Sequence, residues 1–407
     1  MRPHGWLVFA CLFGCKLGFS PLEETQGDAD AGIDGMALDE GGDAAGDAAA
    51  IDAPPPGTAR RIYPLWQESC AIVGGAVYCA GNNSYGQLGS GSSADQSVMV
   101  PVVGIANAVA LANGTSGHHV CALRSDSTIA CWGRNSGGQL GDGTQTNRST
   151  PVSVAGVNDA TQVAVGQLHT CAIRGAGALW CWGVNANGQL GDGTKTARTA
   201  PVFTGVSDAV EVSAGQDNTC VRRATGEVLC WGVNIAGQVG NGGGNQDVTV
   251  PASTGIMNAT ALAVGLQFAC ALRSDGTVWC WGRNDGWQLG ASSPASSGVP
   301  VAVPGVTGAT GELTAGGWVA CVKTAADYRC WGWNSAGQLG DGTTSNGTGP
   351  TAVSVVTNVV EYRTGGEHTC AIEGSNAVKC WGQNYAGELS NSTTTKTATP
   401  QIVQGLP

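Results

Sequence analysis

The stretch "CWGRNSGGQLGDGT" at residues 131–144 decides the fold, because variants of it recur along the chain. It combines a Cys-Trp pair, an asparagine followed by glycines, and an Asp-Gly turn. A single copy would suit a metal site, a nucleotide-binding loop or a redox centre. The other copies are "CAGNNSYGQLGSG" (79–91), "CWGVNANGQLGDGT" (181–194), "CWGVNIAGQVGNG" (230–242), "CWGRNDGWQLGA" (280–291), "CWGWNSAGQLGDGT" (330–343) and "CWGQNYAGELSNST" (380–393). Seven copies of one unit indicate architecture rather than one site.

Each copy has a second cysteine nine or ten residues upstream, and these cysteines recur every 49–51 residues. Such a period is typical of a solenoid, a propeller or an array. In the third copy, short apolar runs at 161–166, 169–174, 178–183 and 199–205 alternate with Gly-rich turns, as in antiparallel units. One such sheet cannot bury both of its faces alone. We therefore predict an all-β fold, a seven-bladed β-propeller of four-stranded antiparallel blades over 60–407, with a solenoid as the alternative.

The two cysteines of each copy lie symmetrically about a predicted hairpin turn. Cys70 and Cys79, for example, flank the turn pair Gly74-Gly75. Cysteines directly opposite each other on neighbouring strands can form a disulfide. The predicted bridges are Cys70–Cys79, Cys121–Cys131, Cys171–Cys181, Cys220–Cys230, Cys270–Cys280, Cys321–Cys330 and Cys370–Cys380. The spacing lacks the close pairs of zinc modules and the C-x-x-C of thioredoxin-like proteins, so we predict no metal and no cofactor.

The N-terminus predicts export. Arg2 precedes an apolar run too short to span a membrane, which is the pattern of a signal peptide. "LFGC" (12–15) resembles the lipobox of bacterial lipoproteins, with Phe13 as its less usual residue. The resemblance implies a lipoprotein-type signal peptide at 1–14 and lipidation of Cys15, the first residue of the mature chain.

The cysteine count agrees with this interpretation. Cys11 leaves with the signal peptide and Cys15 carries the lipid, so the remaining fourteen cysteines form seven pairs. Disulfides persist in oxidising compartments outside the cytoplasm. By the usual sorting rule of such lipoproteins, Lys16 favours the outer membrane. We predict a cell-envelope protein that touches the membrane only through its lipid anchor.

Residues 15–59 are predicted to be a disordered acidic linker. They hold ten acidic side chains, all within 21–59, and after Lys16 no basic side chain appears before Arg60. The linker's acids account for a charge of −10, whereas the predicted propeller carries only −3 of the total −11. The propeller therefore lacks the basic excess of nucleic-acid-binding proteins, and we predict no nucleic-acid partner.

The repeat "G…HTCAI…WCWGVNANGQLGDGT…P" resembles that of the regulator of chromosome condensation family, whose members form seven-bladed propellers. The resemblance covers all seven copies, and "WGxNxxGQLG" is specific. Copy one departs from it at Ala80, where the other copies have tryptophan, and copy seven ends as "GELSNS". These departures leave the closure of the ring open.

The family resemblance also implies two possible activities. Nucleotide exchange on a small nuclear GTPase is one alternative, but an exported lipoprotein would not meet that GTPase. The same propeller occurs in secreted bacterial proteins that inhibit β-lactamases, in which one face of the ring grips the partner. That precedent fits the predicted compartment better.

Most repeated residues are predicted to be structural. The tryptophans are expected to pack between blades, and the asparagines to fix turns. The tryptophans are Trp132, Trp182, Trp231, Trp281, Trp331 and Trp381; the asparagines are Asn83, Asn135, Asn185, Asn234, Asn284, Asn334 and Asn384. The "GDGT" acids Asp142, Asp192 and Asp341 are predicted turn residues. His119, His169 and His368 share one repeat position and are predicted to be structural, with a three-histidine metal site as the alternative.

The sequence contains no G-x-S-x-G, HExxH or phosphate-cradling motif. "RSDGTVW" (273–279) is similar to the Asp-box of sialidases, but its spacing differs and it lies at a hairpin turn. We therefore predict a non-catalytic protein. A glycan-binding or glycan-hydrolysing propeller is the alternative, because other propellers host enzymes.

Residues that differ between the copies are the binding candidates. The position before the repeated Asn and the position three before the first cysteine both lie beside turns, where a rigid scaffold presents variable side chains. Tryptophan and arginine are the usual interface anchors. The predicted binding face consists of Trp66, His118, Arg134, Arg283, Trp287, Trp318 and Trp333. We predict a monomer that binds a protein, or a glycan, on this face; the alternative is that these aromatics fill gaps between blades.

Overall fold

The computed structural model describes residues 60–113 and 118–407, which form strands β1 to β28 and no helix. Blade 1 contains β1 (Arg60–Pro64), β2 (Glu68–Val73), β3 (Ala76–Gly81) and β4 (Gln96–Pro101). Blade 2 contains β5 (Ala108–Asn113), β6 (His119–Arg124), β7 (Ile129–Gly133) and β8 (Arg148–Ser153). Blade 3 contains β9 (Ala160–Val165), β10 (His169–Arg174), β11 (Ala178–Gly183) and β12 (Arg198–Phe203). Blade 4 contains β13 (Ala209–Ala214), β14 (Asn218–Arg223), β15 (Val228–Gly232) and β16 (Val248–Ser253).

Three further blades complete the ring. Blade 5 contains β17 (Ala259–Val264), β18 (Phe268–Arg273), β19 (Val278–Arg283) and β20 (Ser296–Ala302). Blade 6 contains β21 (Ala309–Ala315), β22 (Val319–Thr324), β23 (Tyr328–Gly332) and β24 (Gly347–Ala352). Blade 7 contains β25 (Val359–Thr364), β26 (His368–Glu373), β27 (Val378–Gly382) and β28 (Thr397–Ile402).

Each blade is an antiparallel sheet of four consecutive strands. The first strands of neighbouring blades contact one another, so they surround the centre of the ring and the fourth strands form its rim. The predicted fold of seven four-stranded blades is confirmed. In blade 3 the predicted runs 169–174 and 178–183 coincide with β10 and β11, and the other two strands begin one residue earlier than predicted.

Burial explains the different sequences of inner and outer strands. The two middle strands are covered on both faces by neighbouring blades, so β10 (HTCAIR) has five consecutive buried residues. Most residues of the fourth strands are only half-buried, and these strands carry a proline at one repeat position. These prolines are Pro151, Pro201, Pro251, Pro300, Pro350 and Pro400, and blade 1 has Met99 there.

The described part of the chain contains seven disulfides, and they join the seven predicted pairs. Each connects the second and third strands of one blade; Cys171 lies directly opposite Cys181, with Cα atoms 4.0 Å apart. All of these cysteines are fully buried. In the chain-entropy model, closing so short a hairpin stabilises the fold by ~2–3 kcal/mol.

Neighbouring blades meet at a recurring contact, which we call a seam. At the seam between blades 2 and 3, Nε1 of Trp182 donates to the carbonyl oxygen of Gln139 at 2.9 Å. Thr170 Oγ1 donates to the same carbonyl at 2.8 Å and lies 3.0 Å from Nε2 of His119. The same indole-to-carbonyl bond joins Trp132 to Gln87, Trp231 to Gln189, Trp281 to Gln238 and Trp331 to Gln288. These tryptophans pack between blades, as predicted.

The three histidines at one repeat position serve three different seams. His169 Nε2 lies 2.9 Å from Thr219 Oγ1, and His368 Nε2 lies 2.8 Å from Ser69 Oγ. Burial lowers the pKa of each imidazole to about 3, so the rings are neutral at pH 7. Among the residues that the structure describes, no three His, Cys, Asp or Glu side chains are grouped so that they could hold a metal ion.

Blade 7 packs against blade 1, and the ring closes without exchange of a strand. The N–H of Met99 donates to the carbonyl oxygen of Gln404 at 3.2 Å, which ties the C-terminal segment to the outer strand of blade 1. Position 80 is alanine, so this seam lacks the indole donor. Here the carbonyl of Glu388 accepts the hydroxyl of Ser69 at 2.7 Å.

The predicted signal peptide at 1–14, the predicted lipidation site Cys15 and the predicted linker at 15–59 lie outside the described residues. Within the described ranges, no helix is long and apolar enough to cross a membrane. The seven buried disulfides indicate an oxidising, extracytoplasmic environment.

Candidate functional site: the loop face

Two connections of each blade emerge at the same end of the propeller, because adjacent strands are antiparallel. They are the turn between the first and second strands and the loop between the third and fourth strands. We call this end the loop face; in blade 3 it consists of residues 166–168 and 184–197. The opposite end, which we call the hairpin face, carries the turns between middle strands and the links between blades.

The two variable positions of each blade are joined by a backbone hydrogen bond on the loop face. In blade 3 the N–H of Val184 donates to the carbonyl oxygen of Leu168 at 2.8 Å. The same bond joins Asn82 to Gln67, Arg134 to His118, Val233 to Asp217, Arg283 to Gln267, Trp333 to Trp318 and Gln383 to Glu367. The structure therefore places all seven candidate residues, Trp66, His118, Arg134, Arg283, Trp287, Trp318 and Trp333, on one face.

The seam between blades 5 and 6 brings an arginine of one blade onto a tryptophan of the next. The guanidinium carbon of Arg283 lies 4.8 Å from the ring centroid of Trp318, within the range of a cation–π contact. Nε of Arg283 donates to Asp285 at 2.7 Å, and Nη1 donates to Oε1 of Gln267 at 2.9 Å. Because the Asp285 carboxylate neutralises the Arg283 guanidinium, Arg283 and Trp318 together form an aromatic surface with little net charge.

Trp333 extends this surface toward solvent, with 36% of the residue exposed. Its Nε1 donates to Oγ of Ser335 at 2.6 Å, which fixes the indole. Gly286 of blade 5 lies beside it: a Cβ there would be in ordinary van der Waals contact, 3.5 Å from Cε3 of Trp333 and 3.7 Å from Cβ of Trp318. We call Arg283, Trp318 and Trp333 the aromatic seam.

Trp66 reaches the same area from across the centre of the ring. Leu266 of blade 5 is fully buried, and both Trp66 of blade 1 and Trp318 of blade 6 pack against it. The two indoles are only partly buried. Side chains of three blades thus form a continuous apolar area beside the aromatic seam.

Trp287 lies in the same loop as Arg283 and has an unusual backbone. Its φ is 64°, in the left-handed region. The other six blades have glycine at this position, with φ of 78–88°: Gly86, Gly138, Gly188, Gly237, Gly337 and Gly387. The left-handed conformation costs a non-glycine residue roughly 1–2 kcal/mol. Strain at a partly exposed tryptophan favours a functional role over packing.

His118 and Arg134 form a separate group at the seam between blades 1 and 2. The ring of Tyr85 lies 5.0 Å from that of His118, and the Arg134 guanidinium lies 5.1 Å from the Tyr85 centroid. Burial, with a smaller contribution from Arg134, lowers the pKa of His118 to about 4, so it is neutral at pH 7. The structure therefore divides the candidates between two groups.

Sequence reasoning missed Tyr85 and Leu266. Tyr85 occupies the position two after the repeated Asn, which faces the next blade's variable pair. The other residues there are Gly137, Asn187, Ala236, Gly286, Ala336 and Ala386. A large residue at this position covers the neighbouring side chains and a small one leaves them uncovered. The size of the residue was therefore the sequence signal that could have identified Tyr85.

The repeated asparagines hold the loops of this face in place, as predicted. Oδ1 of Asn135 accepts the N–H of Leu140 at 2.9 Å, and Nδ2 donates to Asp142 at 3.0 Å. Asp142 also accepts from Arg148 at 2.8 Å. These polar groups are therefore used within the scaffold.

A seven-bladed ring that presents variable loops on one face defines a repeat propeller. A family model described as the regulator of chromosome condensation (RCC1) repeat matches residues 74–123, 129–173, 176–222, 275–320 and 330–372. A second model of the same repeat matches 160–189, 209–238 and 259–286. The chain belongs to the RCC1 repeat family.

Individual relatives are more distant. The ultraviolet-B receptor UVR8 of Arabidopsis thaliana is 31% identical over 101 residues, which are 25% of this chain and 23% of that protein. The match thus spans less than a quarter of that relative. The structure of Prp20p from Saccharomyces cerevisiae has a TM-score of 0.69 and 20% identity, covering 81% of this chain and 85% of that one. Human WBSCR16 has a TM-score of 0.70 and 20% identity, covering 81% and 94%. Identities this low support the fold alone.

Proposed function

We propose that this protein is a non-catalytic, exported protein-binding module that holds its partner on the loop face. The observation that carries the proposal is the aromatic seam. There, Trp318 and Trp333 lie side by side with Arg283, and the Trp333 indole is exposed to solvent. Tryptophan and arginine are the commonest energetic anchors of protein interfaces, and they cluster in this way.

The rigidity of the loops supports the same proposal. The asparagine bonds and the fully buried disulfides order the loop face before any partner arrives. A preorganised surface loses less conformational entropy on binding, so more of the contact energy appears as affinity. The yeast protein Prp20p, whose ring has the same fold, binds Gsp1p and histones, which agrees with a binding role for such a ring.

The proposed location is the cell envelope. Lipidation of Cys15 would fix the chain to the outer membrane, and the acidic linker at 15–59 would separate the propeller from the lipid surface. The propeller would act as a monomer, so the loop face would be free to meet its partner.

Affinity capture tests this function. The propeller, produced with its disulfides formed, is exposed to envelope and secreted fractions of its host. The double variant Trp318→Ala/Trp333→Ala should retain at least ~10-fold less partner, because it removes two anchors. The matched control, Leu168→Ala/Val184→Ala, changes the same two positions of blade 3 and should capture the partner normally.

Melting temperatures separate binding from packing. If the two indoles only fill space, the double variant will melt well below wild type, and its loss of capture will follow its loss of folded protein. Equal capture by wild type and both variants would place the binding surface elsewhere. Retention of a glycan instead of a protein would favour the glycan-binding alternative.

A further inference from the structure

A cavity of about 430 Å³ opens on the hairpin face, where blade 4 meets blade 5. Its walls include Ile256, Met257, Arg273, Trp279 and Pro300. Met257 is 48% exposed, so the apolar wall is open to solvent. The loop face, with its aromatic seam, is at the other end of the molecule.

The same repeat position is arginine in blades 2, 3 and 4, and in blades 3 and 4 an acidic residue neutralises it. In blade 3, Nε of Arg174 donates to Oδ1 of Asp159 at 2.6 Å, and the guanidinium lies 5.3 Å from the centroid of Trp180. In blade 4, Arg223 pairs with Asp208 at 2.9 Å. The acid comes in each case from the link between blades.

Blade 5 keeps the arginine and the tryptophan but not this acid. Arg273 lies 5.8 Å from the centroid of Trp279, and Asn258 takes the place of the aspartate. The equivalence is fixed by a backbone bond: Ser274 N–H donates to the Asn258 carbonyl at 2.9 Å, as Gly175 N–H does to Asp159.

The positive charge of Arg273 therefore lacks a well-placed carboxylate to balance it. Its Nε is buried and has no hydrogen-bond partner. Asp275 approaches Nη1 only to 3.4 Å, and its Oδ1 also accepts the N–H and hydroxyl of Thr277. A buried donor without an acceptor is costly, and a bound carboxylate would satisfy it.

We propose that this cavity binds a carboxylate carried on an apolar group. The carboxylate takes the position that Asp159 occupies in blade 3 and accepts from Nε of Arg273. The apolar group lies against Trp279 and Met257. A free aromatic acid and the C-terminal residue of a peptide share this chemistry. The proposal stands apart from the function assigned to the loop face.

The test uses the full disulfide-bonded chain and the probe N-acetyl-L-phenylalanine. Binding is followed by NMR through the indole N–H signal of Trp279, assigned with Trp279→Phe. We expect a saturable shift with a Kd of about 1 mM, as suits so small a ligand. The uncharged N-acetyl-L-phenylalanine amide should bind at least ~10-fold more weakly, because it lacks the charged acceptor.

Two variants locate the site. Asn258→Asp puts an acid at the link position that is Asp159 in blade 3 and Asp208 in blade 4. The φ of Asn258 is 57°, left-handed unlike theirs, but because aspartate tolerates this conformation the fold should persist. It should weaken the probe at least ~10-fold, whereas Arg174→Gln in blade 3 should not. Equal binding of acid and amide, an unaffected Asn258→Asp variant, or no saturable shift would overturn the proposal. An acetylated tripeptide ending in phenylalanine identifies the source, since tighter binding indicates a peptide C-terminus and weaker binding a free acid.

Discussion

The seam between blades 2 and 3 and the seam that joins blade 7 to blade 1 occupy equivalent places in the ring but are built differently. The first has an indole, a hydroxyl and a neutral imidazole around one carbonyl, that of Gln139. The second has Ala80 in place of the indole, and its carbonyl belongs to Glu388. At its point of closure the ring therefore lacks one indole bond, and the C-terminal segment adds the bond from Met99 to Gln404.

Acidic residues also distinguish the closing seam. Glu68 occupies the repeat position that is histidine in blades 2, 3 and 7, and Glu388 replaces the motif glutamine. Burial raises the pKa of Glu68 well above its usual value, with the Glu388 charge adding to it; burial likewise raises the pKa of Glu388. Oε1 of Glu68 has no hydrogen-bond partner. The closing seam thus buries the carboxyl of Glu388 beside the neutral imidazole of His368, whereas the seam between blades 2 and 3 buries the imidazole of His119 beside the amide of Gln139.

The largest expected effect is at the ordinary seam. Trp182→Ala should lower the free energy of unfolding by about 3–5 kcal/mol, because it empties a fully buried site and removes the donor to Gln139. Denaturant unfolding with the disulfides intact measures it. Ala80→Gly at the closing seam is the comparison and should cost about 1 kcal/mol. Similar losses in the two variants would mean that the indole does not distinguish the seams.

Replacing a buried acid should change the stability by an intermediate amount that depends on pH. A carboxyl whose folded pKa is raised leaves the fold most stable below its unfolded pKa of about 4.5, and stability falls as the pH rises toward the folded pKa. Glu388→Gln should therefore stabilise the protein at pH 8 by about 1–3 kcal/mol and change little at pH 4. Melting temperatures across pH 4–8 measure this shift.

The reverse substitution at the ordinary seam is the matched control. Gln139→Glu should destabilise the protein more at pH 8 than at pH 4, because it places a carboxyl in an equally buried position. A pH-independent effect of Glu388→Gln would show that the pKa of its carboxyl is the same in the folded and unfolded states.

The smallest expected effect concerns the C-terminal segment. Met99→Pro gives blade 1 the residue of the other six blades but removes the N–H that donates to Gln404. Loss of the hydrogen bond itself should cost about 0.5–1.5 kcal/mol, and the smaller proline side chain adds a packing loss because the Met99 side chain is buried. Hydrogen exchange at residues 403–407 should rise with it, and Met99→Leu, which keeps the N–H, should change neither. Unchanged exchange in the proline variant would show that this bond does not hold the segment.

The repeat made the architecture predictable from sequence, since seven copies report the same strand order, turn symmetry and cysteine pairing. The role of Trp182 followed from its recurrence. Contacts between unequal residues of different blades did not follow. Trp66 and Leu266 are 200 residues apart and meet only because the ring closes, and Trp333 packs beside Gly286 of another blade. Such contacts depend on the side chains of another blade, which the sequence of one repeat does not encode.

The prolines of the outer strands affect whether copies of the protein aggregate with one another. The rim consists of strand edges, and an open edge can pair with another chain and start a fibril. Proline removes the N–H that such pairing needs. Blades 2 to 7 have this proline, and in blade 1 the N–H of Met99 is already bonded to Gln404. The molecule is thereby protected against edge-to-edge polymerisation around its circumference, even when copies are crowded side by side.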